Sequence, residues 1–511
     1  MSQGVSLTDR ARRWSDRPAI GDQDGTYTYA DLLARSERGA ARLLRGTHDL
    51  GEARVVFMVE PSFGYVVAQW SVWRAGGVAV PLCLTHPGPE LDYALETTTP
   101  TIAVASAKYA DVLGPLAARR GIEFLALDEL DAAPTRLPDV GRDRRAVILF
   151  TSGTTGRPKG VVSTHANIEA QIVALVEAWE WSEDDRILLT LPLHHIHGIV
   201  NVLGCALWSG ARCDILPAFD AGRVIEALIG GGLTLYMAVP TIYHRLIAQL
   251  ANASEGTRRG LEEGASRLRL MVSGSAALPI PVLERWRDLT GHTLLERYGM
   301  TEIGMGLSNP YRGERVPGSV GFPLPGVEVR LVDDADQPVD DGVPGEIQVR
   351  GPAVFREYWQ RPEDTADAFT SDGWFCTGDT AVVEGGRYRI LGRSSVDILK
   401  TGGEKVSALE IEDVLLGHES ISEAAVVGID DAEWGQRIVA VLVATAPIDV
   451  HDLRAWLRGI LAPHKLPKDF YFTDALPRNP MGKALKPEVV SYVTGQASLR
   501  RPSGASDGSR S

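Results

Sequence analysis

The run Thr151-Ser152-Gly153-Thr154-Thr155-Gly156-Arg157-Pro158-Lys159-Gly160 constrains this chain more than any other stretch. It packs hydroxyls, glycine amides and a lysine into one loop, a dense set of donors for phosphate oxygens. The apolar run Ala146-Val147-Ile148-Leu149-Phe150 enters the loop as a strand. Beyond it, Ile168, Ile172, Leu175, Val176 and Trp179 recur at helical spacing. Strand, glycine-rich loop and helix, in that order, predict an α/β fold with an anion site at the turn. The loop is not a Walker A sequence: Pro158 precedes Lys159, Gly160 follows it, and the terminal G-K-[ST] is missing.

A chain of 511 residues is too long for one ordinary core, so two or more domains are expected. Residues 55–81 read as α/β material, and strand-like runs recur at 233–239 and 268–272 between helical stretches. From about Val320 the texture changes to short strands punctuated by Gly and Pro, at 327–332, 345–350 and 387–391, which suits an antiparallel β-rich part. After Arg393 a compact α+β unit is predicted, with strands at 424–428 and 438–443 and a helix over 450–461. The last residues, 498–511, are rich in Ser, Gly and Arg and read as a disordered tail. The predicted division is therefore 1–393, 394–497 and 498–511.

Lysine and arginine number 52 against 66 acidic residues, a formal charge of −14, which argues against nucleic acid or an anionic membrane as partner. The four cysteines fall in no CxxC pair, which suits a reducing compartment. The polar N-terminus lacks the apolar core of a signal peptide, and no apolar run reaches the ~18 residues of a membrane helix. The expected location is the cytoplasm.

The 151–160 loop resembles the phosphate loop of the adenylate-forming superfamily, which contains acyl-CoA synthetases, luciferases and peptide-synthetase adenylation domains. Further motifs follow in that family's order. Tyr298-Gly299-Met300-Thr301-Glu302 is similar to the motif giving a threonine to the α-phosphate and a glutamate to Mg²⁺. Thr377-Gly378-Asp379 resembles the segment whose aspartate binds the ribose hydroxyls. Gly392-Arg393, then Asp397-Ile398-Leu399-Lys400 and Gly402-Gly403, resembles the hinge and the CoA-side loop. Pro477-Arg478-Asn479-Pro480-Met481-Gly482-Lys483 resembles the segment carrying the adenylation lysine.

The resemblance implies a large multi-sheet N-terminal domain with a β-rich subdomain, and a small mobile α+β C-terminal domain that rotates about a hinge near Arg393. It implies ATP, Mg²⁺ and coenzyme A as reactants and cofactor. Thr151, Ser152, Gly153, Thr154, Thr155, Lys159, Ser273, Gly274, Tyr298, Gly299, Met300, Thr301, Asp379 and Arg393 are the implied nucleotide-binding residues. Lys483, Glu302, Thr301 and His195 are the implied catalytic residues, with Glu302 also the metal ligand and Lys400, Gly402 and Gly403 facing CoA. Ser395 stands at the hinge position where the family often has Asp or Lys.

Leu191-Pro192-Leu193-His194-His195-Ile196-His197-Gly198 holds three histidines in four positions. A zinc reading lacks a nearby cysteine or acidic ligand, and the flanking Pro and Gly suggest a turn. With 239–245, 272–279 and 296–299, this stretch resembles the malonyl-CoA synthetases. There His195 falls at the gate position, and the second carboxylate of the acid is held by residues matching His197, Arg245, Ser275 and Arg297. Physical chemistry supports that set: an unpaired carboxylate in a partly dry pocket is costly, and guanidinium is a planar, bidentate partner. The implied reaction is adenylation of malonate, with methylmalonate as a related acid, followed by transfer to CoA. The implied partners are a dicarboxylic acid and CoA, with no obligate protein partner. Competing readings are a ligase for a monocarboxylic acid, a stand-alone enzyme that loads a carrier protein, and a non-catalytic nucleotide-binding regulator.

Overall fold

The structure is a computed structural model and describes residues 6–151, 158–401, 404–431, 434–478 and 484–499. Ser152, Gly153, Thr154, Thr155, Gly402, Gly403 and Lys483 lie outside the described residues. So does the tail from 500 on; the helix Lys486–Leu499 runs two residues into the stretch read as disordered from its composition.

Two large sheets form the first part of the chain. The seven-stranded sheet has a parallel centre built from Arg54–Met58, Val78–Pro81, Ile102–Ala105, Glu123–Ala126 and Arg145–Thr151. The nine-stranded sheet has a parallel centre in which Leu235–Ala238, Leu270–Ser273 and Leu295–Met300 lie side by side. Strands such as Ile102–Ala105 and Leu235–Ala238 are buried along their whole length. Covered on both faces, they read as unbroken apolar runs rather than alternating ones. Between the parallel strands run helices such as Pro240–Ala251 and Ile280–Thr290, each with proline in its first turn, where a missing N–H costs nothing.

The predicted β-rich part is an antiparallel four-stranded sheet of Glu328–Val332, Gly345–Arg350, Phe375–Glu384 and Arg387–Arg393. The C-terminal unit is a five-stranded sheet dominated by the long hairpin Ile421–Asp431 and Gly435–Ala444. Its helices Ala408–Leu416 and Val450–Arg458 bury Ile411, Leu415, Leu453 and Leu457 in a core of their own. This is the α/β fold with a large first domain and a small last one.

One local expectation fails. The phosphate-type loop does not run from a strand straight into a helix. Arg145–Thr151 returns through the loop as a second strand, Lys159–Thr164, antiparallel to it, with Thr151 opposite Lys159. Only then does the helix His165–Ala178 begin, capped by Thr164 in a reciprocal box with Asn167. Val161 and Val162 explain the difference: β-branched and buried, they pair on their other side with Glu357–Tyr358. At about 3.3 Å per residue, six strand residues carry the helix N-terminus roughly 20 Å from the loop.

Candidate active site

The candidate acid pocket lies at the carboxyl ends of two adjacent parallel strands, Leu270–Ser273 and Leu295–Met300, the end of an open α/β sheet where ligands gather. Register places Ser273 opposite Glu296, so Gly274 and Ser275 leave their strand beside Arg297. A Cβ on Gly274 would fall on the Arg297 guanidinium, so glycine makes the room that the arginine fills. Ser275 takes a left-handed backbone, φ 68°, unusual for a residue with a side chain and costing about 1–3 kcal/mol. That geometry brings its Oγ to 3.1 Å from His197 Nδ1 and 3.4 Å from Arg297 Nη2.

His197 does not sit in a turn. It opens a π-helix, His197–Gly204, whose residues are all buried. Such windings concentrate at functional positions. Gly198 is required there, because a Cβ would meet the Pro192 carbonyl at 2.6 Å.

Hydrogen-bond accounting shows what the pocket lacks. Arg297 and His197 are only 6% and 3% exposed, and burial lowers the arginine pKa to about 9. Burial first, then the charge of Arg297, lowers His197 too, so its imidazole is neutral. Arg297 donates to Ser275 Oγ, and the serine hydroxyl and His197 Nδ1 share a second hydrogen bond in which either can donate. With Ser275 as donor the neutral imidazole carries its proton on Nε2, facing the pocket. Both His197 Nε2 and Arg297 Nε are buried with no partner among the described residues, as is Ser273 Oγ. An orphan guanidinium donor, an unpartnered imidazole nitrogen and an uncompensated charge describe the imprint of an anionic acceptor. Glu296 does not supply it: its carboxylate accepts from the Gly318 amide at 2.9 Å instead.

Arg245 is not brought to this cluster. It lies on the exposed face of Pro240–Ala251, whose buried face is Ile242, Tyr243, Leu246 and Leu250, and its guanidinium rests over the Phe219 ring at 4.8 Å. The 3.6-residue period explains the placement: position 245 falls between the buried positions 243 and 246, on the outward side with His244. His195 is half-buried, its ring 4.2 Å from that of His194 with His86 beyond. Burial lowers its pKa to about 4, so it too is neutral. Among the described residues these histidines do not form a metal-ligand group.

The nucleotide-side residues form two linked sets. Asp379 accepts from the Tyr298 hydroxyl at 2.6 Å on one oxygen and from Arg393 Nε at 2.8 Å on the other, so its carboxylate is fixed in direction. Glu302 is buried, which raises its pKa, and takes one hydrogen bond from the Tyr358 hydroxyl at 3.0 Å. Lys159 Nζ stands 4.9 Å from the Tyr358 ring centre and pairs with Asp364 at 2.6 Å. Thr301 and Met300 are half-buried beside Glu302, and Gly299 is confined because a Cβ would strike the Gly304 carbonyl. Lys400 is exposed on the strand Ile398–Thr401, across from Lys405.

Sequence reasoning missed Tyr358 and Asp364. Tyr358 belongs to a two-residue strand with no periodicity to find it, and Asp364 to a six-residue helix. Their significance is visible only when Lys159–Thr164 pairs with that strand.

Comparison with known proteins gives the family. Residues 7–359 match the family model for the AMP-binding enzyme, and 410–483 match that for the AMP-binding enzyme C-terminal domain. The mitochondrial malonate–CoA ligase of Xenopus laevis is 46% identical over 537 residues, covering 96% of this chain and 92% of its own. ATP-bound MatB from Rhodopseudomonas palustris superposes with a TM-score of 0.88 at 36% identity, covering 96% of this chain and 99% of that one. A malonyl-CoA ligase ternary product complex with methylmalonyl-CoA and AMP is 38% identical, with a TM-score of 0.67 over 91% of this chain and 97% of that one. The chain belongs to the AMP-binding enzyme family, the adenylate-forming superfamily.

Proposed function

We propose that this chain is a malonate–CoA ligase. A carboxylate oxygen of malonate attacks the α-phosphorus of ATP and pyrophosphate leaves; the CoA thiolate then attacks the acyl carbon and AMP leaves. The observation that carries the choice of acid is the buried guanidinium of Arg297, with its Nε and His197 Nε2 both unpartnered. A pocket for a fatty or aromatic acid gains nothing from such donors, and an unpaired buried arginine is costly. The second carboxylate of a short dicarboxylic acid satisfies both donors at once, in the bidentate geometry guanidinium favours. The malonate–CoA ligase relatives support the same acid.

On the nucleotide side, Asp379 offers its remaining lone pairs to the ribose hydroxyls, and Lys159 and Thr301 face the phosphates. The Glu302 carboxylate, buried and accepting from the Tyr358 hydroxyl, would hold a magnesium ion, which would supply charge neutralisation for the departing pyrophosphate. Lys483 is the proposed adenylation lysine. Arg245, stacked on Phe219, is proposed to join the second carboxylate only if it turns inward when substrate binds. His195, neutral, guards the thiol approach with Lys400, Gly402 and Gly403. Methylmalonate is a second candidate acid, because one methyl group changes selectivity by only about 1–3 kcal/mol. The unpaired thiols suit a reducing compartment, and we assign the cytoplasm.

The test is pyrophosphate release with ATP, magnesium and CoA across malonate, methylmalonate, succinate, acetate, octanoate and coumarate, with wild type and Arg297→Ala. Malonate should dominate, and the substitution should remove that preference. A monocarboxylic acid winning, with Arg297→Ala indifferent, overturns the choice of acid.

A further inference from the structure

Lys486 is a buried lysine to which the reaction assigns no part. Its ammonium lies 2.6 Å from Asp397 and 2.8 Å from Glu412, and the three side chains are 10%, 5% and 14% exposed. Each carboxylate is also tied to backbone: Asp397 accepts from the Arg393 amide at 3.0 Å, and Glu412 from the Val426 amide at 2.7 Å. A Cβ on Gly392 would fall on Asp397, so the chain passes this cluster closely just before Arg393. One end of the cluster thus holds the backbone where the β-rich sheet ends.

The other end holds the residues that flank 479–483, the segment whose Lys483 precedes Lys486 by three positions. Arg478 and Ala484 form an antiparallel bridge, and the Leu485 amide donates to the Pro477 carbonyl at 2.8 Å. Arg478 pairs with Glu423 of the long hairpin at 2.6 Å. These flanking residues are therefore pinned on one side by Glu423 and on the other by Lys486.

From this geometry we propose that Lys486, with Asp397 and Glu412, is a positioning device that fixes the residues flanking Lys483 to the hinge backbone at Arg393, so that hinge setting and lysine placement change together. Guanidinium or ammonium at 486 preserves it; an apolar chain there frees those flanking residues and leaves two buried carboxylates without their cation. The catalytic part of this proposal rests on the adenylation reading above, and its structural part does not.

The experiment uses the full chain as wild type, Lys486→Met, Lys486→Arg and Asp397→Asn. Asp397→Asn keeps the Lys486–Glu412 pair and guards against a fold lost in Lys486→Met. Amide hydrogen exchange without substrates is read on peptides covering 477–485, beside malonate-dependent ATP–pyrophosphate exchange and the KM for ATP. Lys486→Met and Asp397→Asn should speed amide exchange in 477–485 by about tenfold and lower kcat of pyrophosphate exchange at least as much. KM for ATP should stay within about twofold, and Lys486→Arg should restore both. Unchanged amide exchange in both variants overturns the proposal. So does faster amide exchange with unchanged pyrophosphate exchange, and so does equal loss across the whole C-terminal sheet, which marks a merely structural cluster. Wild type without malonate-dependent exchange would overturn the choice of acid instead, while the amide readout still decides the link.

Discussion

The Arg297 guanidinium occupies the volume that a side chain on Gly274 would need, in a register set by pairing Ser273 with Glu296. The acid pocket is thus made as much by a missing side chain as by a present one. Gly274→Ala should push the guanidinium away from Ser275 and lower kcat/KM for malonate by about tenfold or more, roughly the cost of one charge-assisted hydrogen bond. Steady-state kinetics with malonate and acetate checks this: acetate turnover should change little.

Removing the guanidinium separates stability from function. Arg297→Met should cost about 2–4 kcal/mol in kcat/KM for malonate, because it strands a buried substrate charge. The same variant, free of ligand, should be as stable as wild type or more so, by up to about 1–4 kcal/mol, since an uncompensated buried cation disappears. Denaturant melts without ligand, set beside the kinetics, decide it; a large loss of ligand-free stability would show that Arg297 has a carboxylate partner in the resting protein.

Ser275 stores strain for its contact with His197. Ser275→Gly should be more stable than Ser275→Ala by about 1 kcal/mol, because only glycine relaxes at φ 68°. Both should lose malonate turnover to a similar degree. Thermal melts and kinetics on the pair separate backbone relief from loss of the hydroxyl.

Glu296 gives a dependence on pH. Burial, the largest cause, raises its carboxyl to about 8 in the folded chain, well above an ordinary carboxylate. Between about pH 4.5 and 8 the folded state holds a proton that the unfolded state has released. Its contribution is therefore complete at low pH and is lost as pH rises through 8. Glu296→Gln, which keeps an acceptor for the Gly318 amide, should flatten the fall in melting temperature between pH 5 and 8.5. An unchanged slope would assign the proton elsewhere.

Lys159 must exchange Asp364 for phosphate if it serves ATP. The pair is about one-third exposed, which limits its worth to roughly 0–1 kcal/mol. Asp364→Asn should lower KM for ATP by about two- to fivefold with little change in kcat. A raised KM would mean that Asp364 orients the lysine rather than competing for it.

The sequence made the two-part α/β architecture legible because buried parallel strands leave unbroken apolar runs and the β-rich part is punctuated by Gly and Pro. His197, Ser275 and Arg297 were named as a set only through the resemblance to the malonyl-CoA synthetases, because residues 78 and 22 positions apart carry no local mark of their contacts. The outward position of Arg245 was not legible because its motif records neighbours along the chain, whereas exposure depends on the helical face. The hairpin after the phosphate loop was missed because Lys159–Thr164 is short, and only Glu357–Tyr358, almost two hundred residues later, completes its pairing. Such long-range pairing leaves no local mark. Lys486 escaped for the same reason: its partners are distant in sequence.

The acid pocket and the phosphate hairpin stand on different sheets, the nine-stranded and the seven-stranded one. Thr151 and Lys159, the hairpin's paired residues nearest the loop, are cross-strand neighbours whose spacing is set by their own sheet. The strand Leu295–Met300 nevertheless carries both Arg297 and Tyr298, whose hydroxyl donates to Asp379, so a change at 297 reaches the nucleotide-side residues along a shared strand while the hairpin stays apart. A lineage that redraws its acid at this strand end must keep the backbone of Tyr298 in place, whereas the hairpin on the other sheet is spared.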